Sequence, residues 1–335
     1  MGTGSRVGME LVPRKKLQLL TGRAHPELAE EIADHLGIEL GETNLADFAN
    51  SEMNCRFGES VRGGDIFIIQ THSMAGHHSI NDSLMEQWIM IDAAKRASAK
   101  RITAVCPYYG YSRQDRKSQG REPITAKLVA DLLQAAGANR VVSVDLHSGQ
   151  IQGFFDGPFD HLTAMPILVD YLREHLQGDV VVVAPDAGRI KTAERFSLHM
   201  GCDMASVYKR RTKGVAHQVE ALAVMGEVKG RRCVIVDDMI DTAGTVVAAA
   251  DQLKAHGATE VWAVATHGVF SGPAIDRLKN SSIDRVVITN TLPIPADKQI
   301  DRIEVLSIAG VIADAIDAVF EDTSVSEIFG GENQS

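Results

Sequence analysis

The 335-residue sequence has few cysteines, few aromatic residues and no long hydrophobic run. Its four cysteines lie far apart, without CxxC or CxxH spacing, which argues against a zinc site and fits a reducing cytoplasm. The longest apolar run, around Val180–Ala184, is much shorter than the roughly 18 residues of a membrane span. Residues 1–16 contain no apolar core of a signal peptide. We therefore expect a soluble, cytoplasmic protein with no membrane partner.

Positive charge is also scarce, since 34 Lys and Arg residues stand against 44 Asp and Glu residues and the formal net charge is −10. This balance argues against a nucleic-acid partner. The sequence contains no GxxxxGK[ST] motif, so a P-loop NTPase is disfavoured. Eight of the 34 basic residues lie in two short segments, Arg113–Arg121 and Lys209–Lys213. Two cationic loops on an acidic body suit a compact polyphosphate ligand.

Apolar segments of strand length alternate with helical patterns along the chain. The segments are continuously apolar, which is typical of strands buried on both faces. Helices are predicted over Pro26–Leu36 and Pro123–Ala136. The pattern predicts two α/β domains with mainly parallel sheets, and the polar stretch Gly149–Asp160 places their boundary near residue 160. The predicted strands are Leu17–Thr21, Ile66–Thr71, Ile102–Cys106, Val141–Val144, Val180–Ala184, Val234–Val236, Val261–Thr266 and Val286–Thr289.

The strongest local motif runs from Cys233 to Thr245. A hydrophobic strand leads into Asp237 and Asp238, and a small, hydroxyl-rich turn then precedes a predicted helix over Val246–His256. Backbone N–H groups at a helix N-terminus bind phosphate, and carboxylates accept hydrogen bonds from sugar hydroxyls. The motif therefore favours a sugar phosphate. A Walker-B-like strand followed by an ordinary helix cap is the alternative.

Two further predicted strands end in possible metal ligands. His147 follows Val141–Val144, and Asp186 follows Val180–Ala184. A His and a carboxylate could hold Mg²⁺, which takes its other ligands from water and substrate phosphate, although a lone histidine is more often structural. The adjacent His77 and His78 lack metal-site spacing and receive no role. Up to this point the residues predict phosphoryl transfer without defining the reaction.

Together, these segments resemble the class I ribose-phosphate pyrophosphokinases (PRPP synthetases) from about Leu17 to Phe329. The shared motifs are Val61–Asp65, Arg113–Asp115, Val144–His147, Gln150–Phe155, Pro185–Gly188, Lys209–Arg211 and Val236–Thr242. The last motif also occurs in phosphoribosyltransferases, but its combination with the Lys-Arg-Arg and Arg-Gln-Asp segments is specific.

The resemblance implies that ATP gives its β,γ-diphosphoryl group to O1 of ribose 5-phosphate. The products are AMP and 5-phosphoribosyl 1-diphosphate (PRPP), a precursor for nucleotide and amino-acid biosynthesis. It also implies two phosphoribosyltransferase-like domains, each a mainly parallel sheet flanked by helices. Residues 15–160 would carry ATP and subunit contacts, and residues 161–325 would carry the ribose 5-phosphate site and a mobile catalytic loop.

The family's functional residues map onto this chain as follows. The resemblance implies Lys209 and Arg211 as catalytic residues and His147 and Asp186 as Mg²⁺ ligands. It implies ATP binding by Phe48, Asn50 and Glu52 of a neighbouring subunit together with Arg113 and Gln114. Ribose 5-phosphate would be bound by Arg211, Asp237, Asp238, Asp241, Thr242, Ala243, Gly244 and Thr245. A homohexamer regulated by phosphate and ADP is implied, with allosteric positions at Ser60, Arg62, Ser98, Arg121 and Ser307.

Three positions depart from the family pattern. Asn50 stands where Asp is common, Arg189 where Gly is frequent and Thr212 where Pro is frequent. Two alternatives remain, a PRPP-consuming phosphoribosyltransferase and a non-catalytic PRPP-synthetase-associated regulatory protein. The presence of Lys209 and Arg211 favours the enzyme over the regulatory protein.

Overall fold

The structure is a computed structural model that describes residues 16–210 and 221–328. A first sheet is entirely parallel and has the strand order β1-β4-β5-β6-β7. Its apolar central strands are buried on both faces because helices cover the sheet. The five strands are β1 Leu17–Thr21, β4 Asp65–Ile69, β5 Arg101–Cys106, β6 Arg140–Val144 and β7 Phe159–Leu162.

A second sheet has the order β10-β9-β8-β11-β12-β13-β14, and only β10 runs antiparallel to its neighbour. Val-rich β8, in which every residue is buried, lies beside the central strand β11. The strands are β8 Val180–Ala184, β9 Asp203–Arg210, β10 Ala221–Met225, β11 Arg232–Ile240, β12 Glu260–Gly268, β13 Arg285–Thr289 and β14 Ile303–Leu306. A separate antiparallel hairpin joins β2 Thr43–Asp47 to β3 Met53–Phe57.

Helices connect the strands. They are α1 Pro26–Leu36, α2 Ile80–Arg96, α3 Thr125–Ala136, α4 Met165–His175, α5 Ile190–Met200, α6 Gly244–Ala255, α7 Ala274–Lys279, α8 Ala309–Phe320 and α9 Val325–Ile328. Gly37 ends α1 in the left-handed conformation (φ 65°), where a side chain would be strained. None of the described helices is long and apolar enough to cross a bilayer.

The predicted α/β class with mainly parallel sheets is confirmed. The predicted bounds of β1, β8 and α1 agree with the structure, and the other predicted strands lie within observed ones except that β4 ends at Ile69. The predicted helix over Pro123–Ala136 begins at Thr125 instead. Ile124 is the N-cap residue of this helix, so Pro123 lies before it.

The sequence places the boundary between the two domains near residue 160. That position falls inside β7, which pairs with β6 in the first sheet. Helix α8, from the other end of the chain, packs against α1 of the first half. One hydrophobic cluster accordingly contains Leu19 and Val142 of the first sheet, Val182 of the second and Ile316 of α8. The two sheets thus share part of one core.

Candidate active site

A cavity of about 230 Å³ lies beyond the C-terminal ends of β8 and β11. Ligands of parallel α/β sheets bind at this end because the connecting loops and helix N-termini converge there. Most of the candidates that the sequence assigned to metal and ribose 5-phosphate line it. The lining residues are Arg113, His147, Asp186, Arg189 and Asp237 to Val246.

Both sheets contribute to this cavity. His147 follows β6 of the first sheet, and its Nδ1 atom lies 2.7 Å from Oδ2 of Asp238 on β11 of the second. A second histidine, the buried His267, also links separate segments. Its Nε2 atom lies 3.0 Å from the carbonyl oxygen of Asp145, and its Nδ1 atom lies 2.8 Å from Oγ1 of Thr291. These contacts fix the distance between the sheets and therefore between His147 and the acidic strand end.

Arg189 occupies the centre of the acidic group. Its Nε atom lies 2.7 Å from Oδ1 of Asp237, and its Nη2 atom lies 2.7 Å from Oδ1 of Asp238 and 2.9 Å from Nδ1 of His147. Only 15% of the Arg189 side chain is exposed. A second cavity, of about 100 Å³, adjoins the first and is also lined by Arg189, His147 and both aspartates. These four side chains therefore separate the two cavities. The sequence marked Arg189 only as a departure and did not predict this contact.

The two adjacent aspartates have opposite pKa shifts. Burial raises the pKa of Asp237, and the negative charge of Asp238 raises it further. Burial also raises the pKa of Asp238, but the hydrogen bond from His147 and the charge of Arg189 outweigh it and hold that pKa below its usual range. Asp238 is therefore the ionised member of the pair, and Asp237 is the member that keeps a proton more readily.

The loop after β11 presents a helix N-terminus to the cavity. Ala243 adopts the left-handed conformation (φ 59°) and turns the chain directly into α6. No side chain caps α6 at this residue, so the first N–H groups of the helix are available to an anion. Arg113 reaches the loop through Nη1, which donates to Oδ2 of Asp241 at 2.6 Å. The loop thus offers free helix N–H groups with a guanidinium at its edge, an arrangement that suits a phosphate, and we call it the phosphate cradle.

The remaining ATP candidates lie elsewhere. Phe48, Asn50 and Glu52 occupy the turn between β2 and β3, where Phe48 is 57% exposed and donates its backbone N–H to the Glu52 carbonyl at 2.8 Å. None of the three is among the described residues that line the cavity. Gln114 also stays outside it and accepts a hydrogen bond from the Thr125 hydroxyl at 2.5 Å.

The predicted catalytic pair cannot be placed at the cavity. Lys209 belongs to β9, but its side chain lies outside the described part of the structure, and so does the whole of Arg211.

The predicted allosteric residues are distributed over four loops. Ser60 and Arg62 lie between β3 and β4. Ser98 follows α2, and its carbonyl accepts from Gly63 N–H at 2.8 Å, which places it against that loop. Arg121 lies between β5 and α3, and Ser307 precedes α8 and donates to Glu31.

The donor set suits a divalent cation. His147 and Asp186 line one cavity, and the exposed Asp186 carboxylate accepts from the Gly188 N–H at 2.8 Å. No described basic side chain forms an ion pair with Asp186, whereas Arg189 pairs with both Asp237 and Asp238. Mg²⁺ takes mainly oxygen ligands, so the free carboxylate, water and substrate phosphate would fill most of its positions and the single His147 imidazole one of them.

Parallel sheets, an acidic strand end and an uncapped helix N-terminus define a sugar-phosphate-binding α/β protein. Residues 17–137 match the N-terminal domain of ribose phosphate pyrophosphokinase, and residues 203–330 match the phosphoribosyl synthetase-associated domain. A ribose-phosphate pyrophosphokinase of Streptomyces avermitilis is 55% identical over 96% of this chain and 98% of its own. One of Bifidobacterium longum is 56% identical over 96% and 94%.

A solved structure gives the same result. The phosphoribosylpyrophosphate synthetase of Mycobacterium smegmatis superposes with a TM-score of 0.86 at 50% identity, covering 92% of this chain and 100% of that one. This chain belongs to the ribose-phosphate pyrophosphokinase family. The family assignment inferred from the sequence motifs is therefore confirmed, and it makes the protein an enzyme.

Proposed function

We propose that this chain transfers the β,γ-diphosphoryl group of ATP to O1 of ribose 5-phosphate and releases PRPP and AMP. The observation that carries the proposal is the cavity between the sheets, where an acidic strand end, a phosphate cradle and two candidate metal ligands meet. Two relatives that are named for this activity are 55% and 56% identical, each over 96% of this chain. These groups suit the phosphates of both substrates and the hydroxyls of ribose.

Ribose 5-phosphate binds along β11 and its loop. The first N–H groups of α6 and the hydroxyls of Thr242 and Thr245 receive the 5-phosphate, and Ala243 and Gly244 supply the turn. Asp237 and Asp238 accept hydrogen bonds from the ribose hydroxyls. Because Arg189 already contacts these two carboxylates, substrate hydroxyls share or replace its contacts.

His147 and Asp186 would hold Mg²⁺, an ion that takes its other ligands from water and phosphate oxygens. When bound, the ion neutralises charge on the transferred phosphates. Arg113, at the mouth of the phosphate cradle, contributes a guanidinium to the same phosphates. We assign Lys209 and Arg211 to the transferred group by the family resemblance, because in-line phosphoryl transfer needs positioning and positive charge more than a protein nucleophile.

The adenine is bound by Phe48, Asn50 and Glu52 of a neighbouring copy, and Gln114 adds a contact from the chain that holds the phosphates. The exposed position of the β2–β3 turn, outside its own cavity, supports this arrangement. We propose a homohexamer regulated by phosphate and ADP at Ser60, Arg62, Ser98, Arg121 and Ser307. A reducing cytoplasm suits the four cysteines, which are all free thiols.

The test is an AMP assay with purified protein, ATP, Mg²⁺ and ribose 5-phosphate in phosphate buffer. AMP and PRPP should form in equal amounts. Asp237→Asn should abolish most of the activity, whereas Asp251→Asn, an exposed acid on α6 that accepts from Ser282, should not. Formation of a nucleotide and pyrophosphate from PRPP and a nucleobase, without AMP formation from ATP and ribose 5-phosphate, would identify a phosphoribosyltransferase. If neither reaction occurs, the result would favour the regulatory protein.

A further inference from the structure

Three potential metal ligands meet on the surface away from the active-site cavity. Asp47 is the last residue of β2, and His77 and His78 lie in the turn before α2. The Nε2 atom of His78 lies 2.8 Å from Asp47 Oδ2, and that of His77 lies 3.7 Å from the same oxygen. All three ligand atoms lie within 4.8 Å of one another. We call these residues the Asp47–His77–His78 cluster.

The distances suit a tetrahedral ion. Bonds of about 2.0–2.1 Å separate neighbouring ligand atoms by about 3.3 Å, and the two measured distances to Asp47 fall on either side of that value. Small rotations of the imidazole rings make up the difference, because the His77 side chain is 82% exposed. The imidazole rings already lie side by side, with centroids 4.0 Å apart.

Backbone contacts hold the two histidines in place. Ala75 and His78 exchange both backbone hydrogen bonds, at 3.1 and 3.0 Å, so the residues between them form a tight turn. Gly76 supplies the left-handed conformation (φ 58°) that such a turn requires. The turn aims consecutive imidazoles at one point, whereas two neighbours in an extended strand would point to opposite faces.

A fixed arginine orients the third ligand. Arg23 donates through Nη2 to Asp47 Oδ1 at 2.7 Å and through Nη1 to Oδ2 at 3.1 Å. The charge of Arg23 is offset by Glu86, which is 3% exposed and accepts from Nε at 2.5 Å. Oδ2 retains lone-pair capacity toward the histidines. Arg23 therefore acts as an outer partner that fixes the carboxylate, as hydrogen-bonded groups behind metal ligands commonly do.

We propose that the Asp47–His77–His78 cluster binds a divalent transition-metal ion of the Zn²⁺ type. Two imidazoles and one carboxylate match the ligands of zinc sites with an open fourth position, and imidazole nitrogen disfavours Mg²⁺. The ion fastens the β2–β3 hairpin to the turn before α2. Because Asp47 directly precedes Phe48, the site adjoins the turn that carries the proposed adenine contacts but contributes nothing to the catalytic cavity.

The test is Zn²⁺ binding measured by equilibrium dialysis, with Co²⁺ spectroscopy as a second readout, in excess Mg²⁺ that competes for the catalytic cavity. The full-length protein should bind one Zn²⁺ per chain, and Co²⁺ should show a visible spectrum with nitrogen ligation. His77→Asn should weaken binding at least about 100-fold, beyond the roughly 10–100-fold typical of outer partners. His256→Asn, an exposed histidine at the end of α6, should bind Zn²⁺ as the wild type does.

The active-site variant His147→Asn separates this site from the catalytic one. It should retain Zn²⁺ binding, and His77→Asn should retain AMP formation with Mg²⁺ and ATP. The proposal is wrong if no Zn²⁺ binds, or if binding is lost in His147→Asn and kept in His77→Asn. Because AMP formation and Zn²⁺ binding are measured separately, failure of this proposal leaves the proposed enzyme activity standing.

Discussion

Replacing Arg189 by glutamine removes the one described guanidinium that contacts both acids of β11. Arg189 makes three polar contacts of 2.7 to 2.9 Å, to Asp237, Asp238 and His147. All three side chains are mostly shielded from water, so solvent screens the pairs weakly. Breaking a buried ion pair by removing one partner costs about 3–5 kcal/mol. Because Gln retains some hydrogen bonding, we expect Arg189→Gln to lower the free energy of unfolding by about 3 kcal/mol.

The loss of stability in Arg189→Gln should depend on pH. Burial and the neighbouring negative charge raise the native pKa of Asp237, while Arg189 opposes the rise. A carboxyl with a raised native pKa contributes stability at low pH that is lost as pH rises through that pKa. Without Arg189 the native pKa of Asp237 rises further. Each pKa unit of that rise corresponds to about 1.4 kcal/mol of stability lost at high pH. The difference between wild type and Arg189→Gln should therefore widen toward alkaline pH.

Urea unfolding in the presence of EDTA, at about pH 6 and about pH 9, measures both effects. The matched control is Arg96→Gln, which removes an exposed, solvent-screened pair with Asp92 and should change the free energy of unfolding little. Arg189→Lys keeps the charge and should restore part of the high-pH stability. A difference that is equal at the two pH values, or no larger than that of Arg96→Gln, would refute the electrostatic reasoning.

Three further changes test other parts of the molecule. Lys209→Ala should lower kcat about 10²–10³-fold with little effect on KM for ribose 5-phosphate; steady-state AMP assays that show near-normal turnover would contradict its role. Ala243→Val should raise KM for ribose 5-phosphate about tenfold, because a β-branched residue is strained at φ 59°, whereas Ala243→Gly should not. Burial lowers the pKa of His72 to about 4, against a hydrogen bond to Gln87 that raises it. The unfolded chain takes up this proton below about pH 6.5, so stability should fall by about 2 kcal/mol between about pH 7 and about pH 5. Urea unfolding of His72→Gln should show a smaller fall.

The strands that the sequence predicted correctly are those with an unambiguous burial pattern. β8 reads Val-Val-Val-Val-Ala and is buried throughout, because helices cover both faces of the sheet. The hairpin strands β2 and β3 were missed because they alternate between exposed and half-buried residues, many of them polar. β14 has only four residues, none fully buried, and its identity as a strand depends on pairing with β13.

The candidate site was predictable where one chain segment carries the chemistry. Asp237 through Thr245 combine strand, acids and helix start in consecutive residues, and the structure places them on one cavity. Contacts between distant segments had no such signal. The approach of Arg189 to His147 spans 42 positions, and that of His78 to Asp47 spans 31. Arg189 could have been noticed as a basic side chain beside a predicted carboxylate ligand, but its target depends on how the two sheets meet.

The charge of the cavity explains why substrate phosphates need added cations. The described lining has four acidic side chains, Asp186, Asp237, Asp238 and Asp241, against two guanidinium groups, and both guanidinium groups are paired with these acids. Even with Asp237 protonated, three negative charges stand against two positive ones. A polyphosphate that enters alone meets a surplus of negative charge at short range, where little water screens it. We expect the compensating charge to come from a divalent ion at Asp186 and, by the family resemblance, from the basic segment Lys209–Lys213. Phosphate binding in the acidic cavity therefore depends on these added positive charges. Removal of divalent ions should weaken ATP binding far more than ribose 5-phosphate binding.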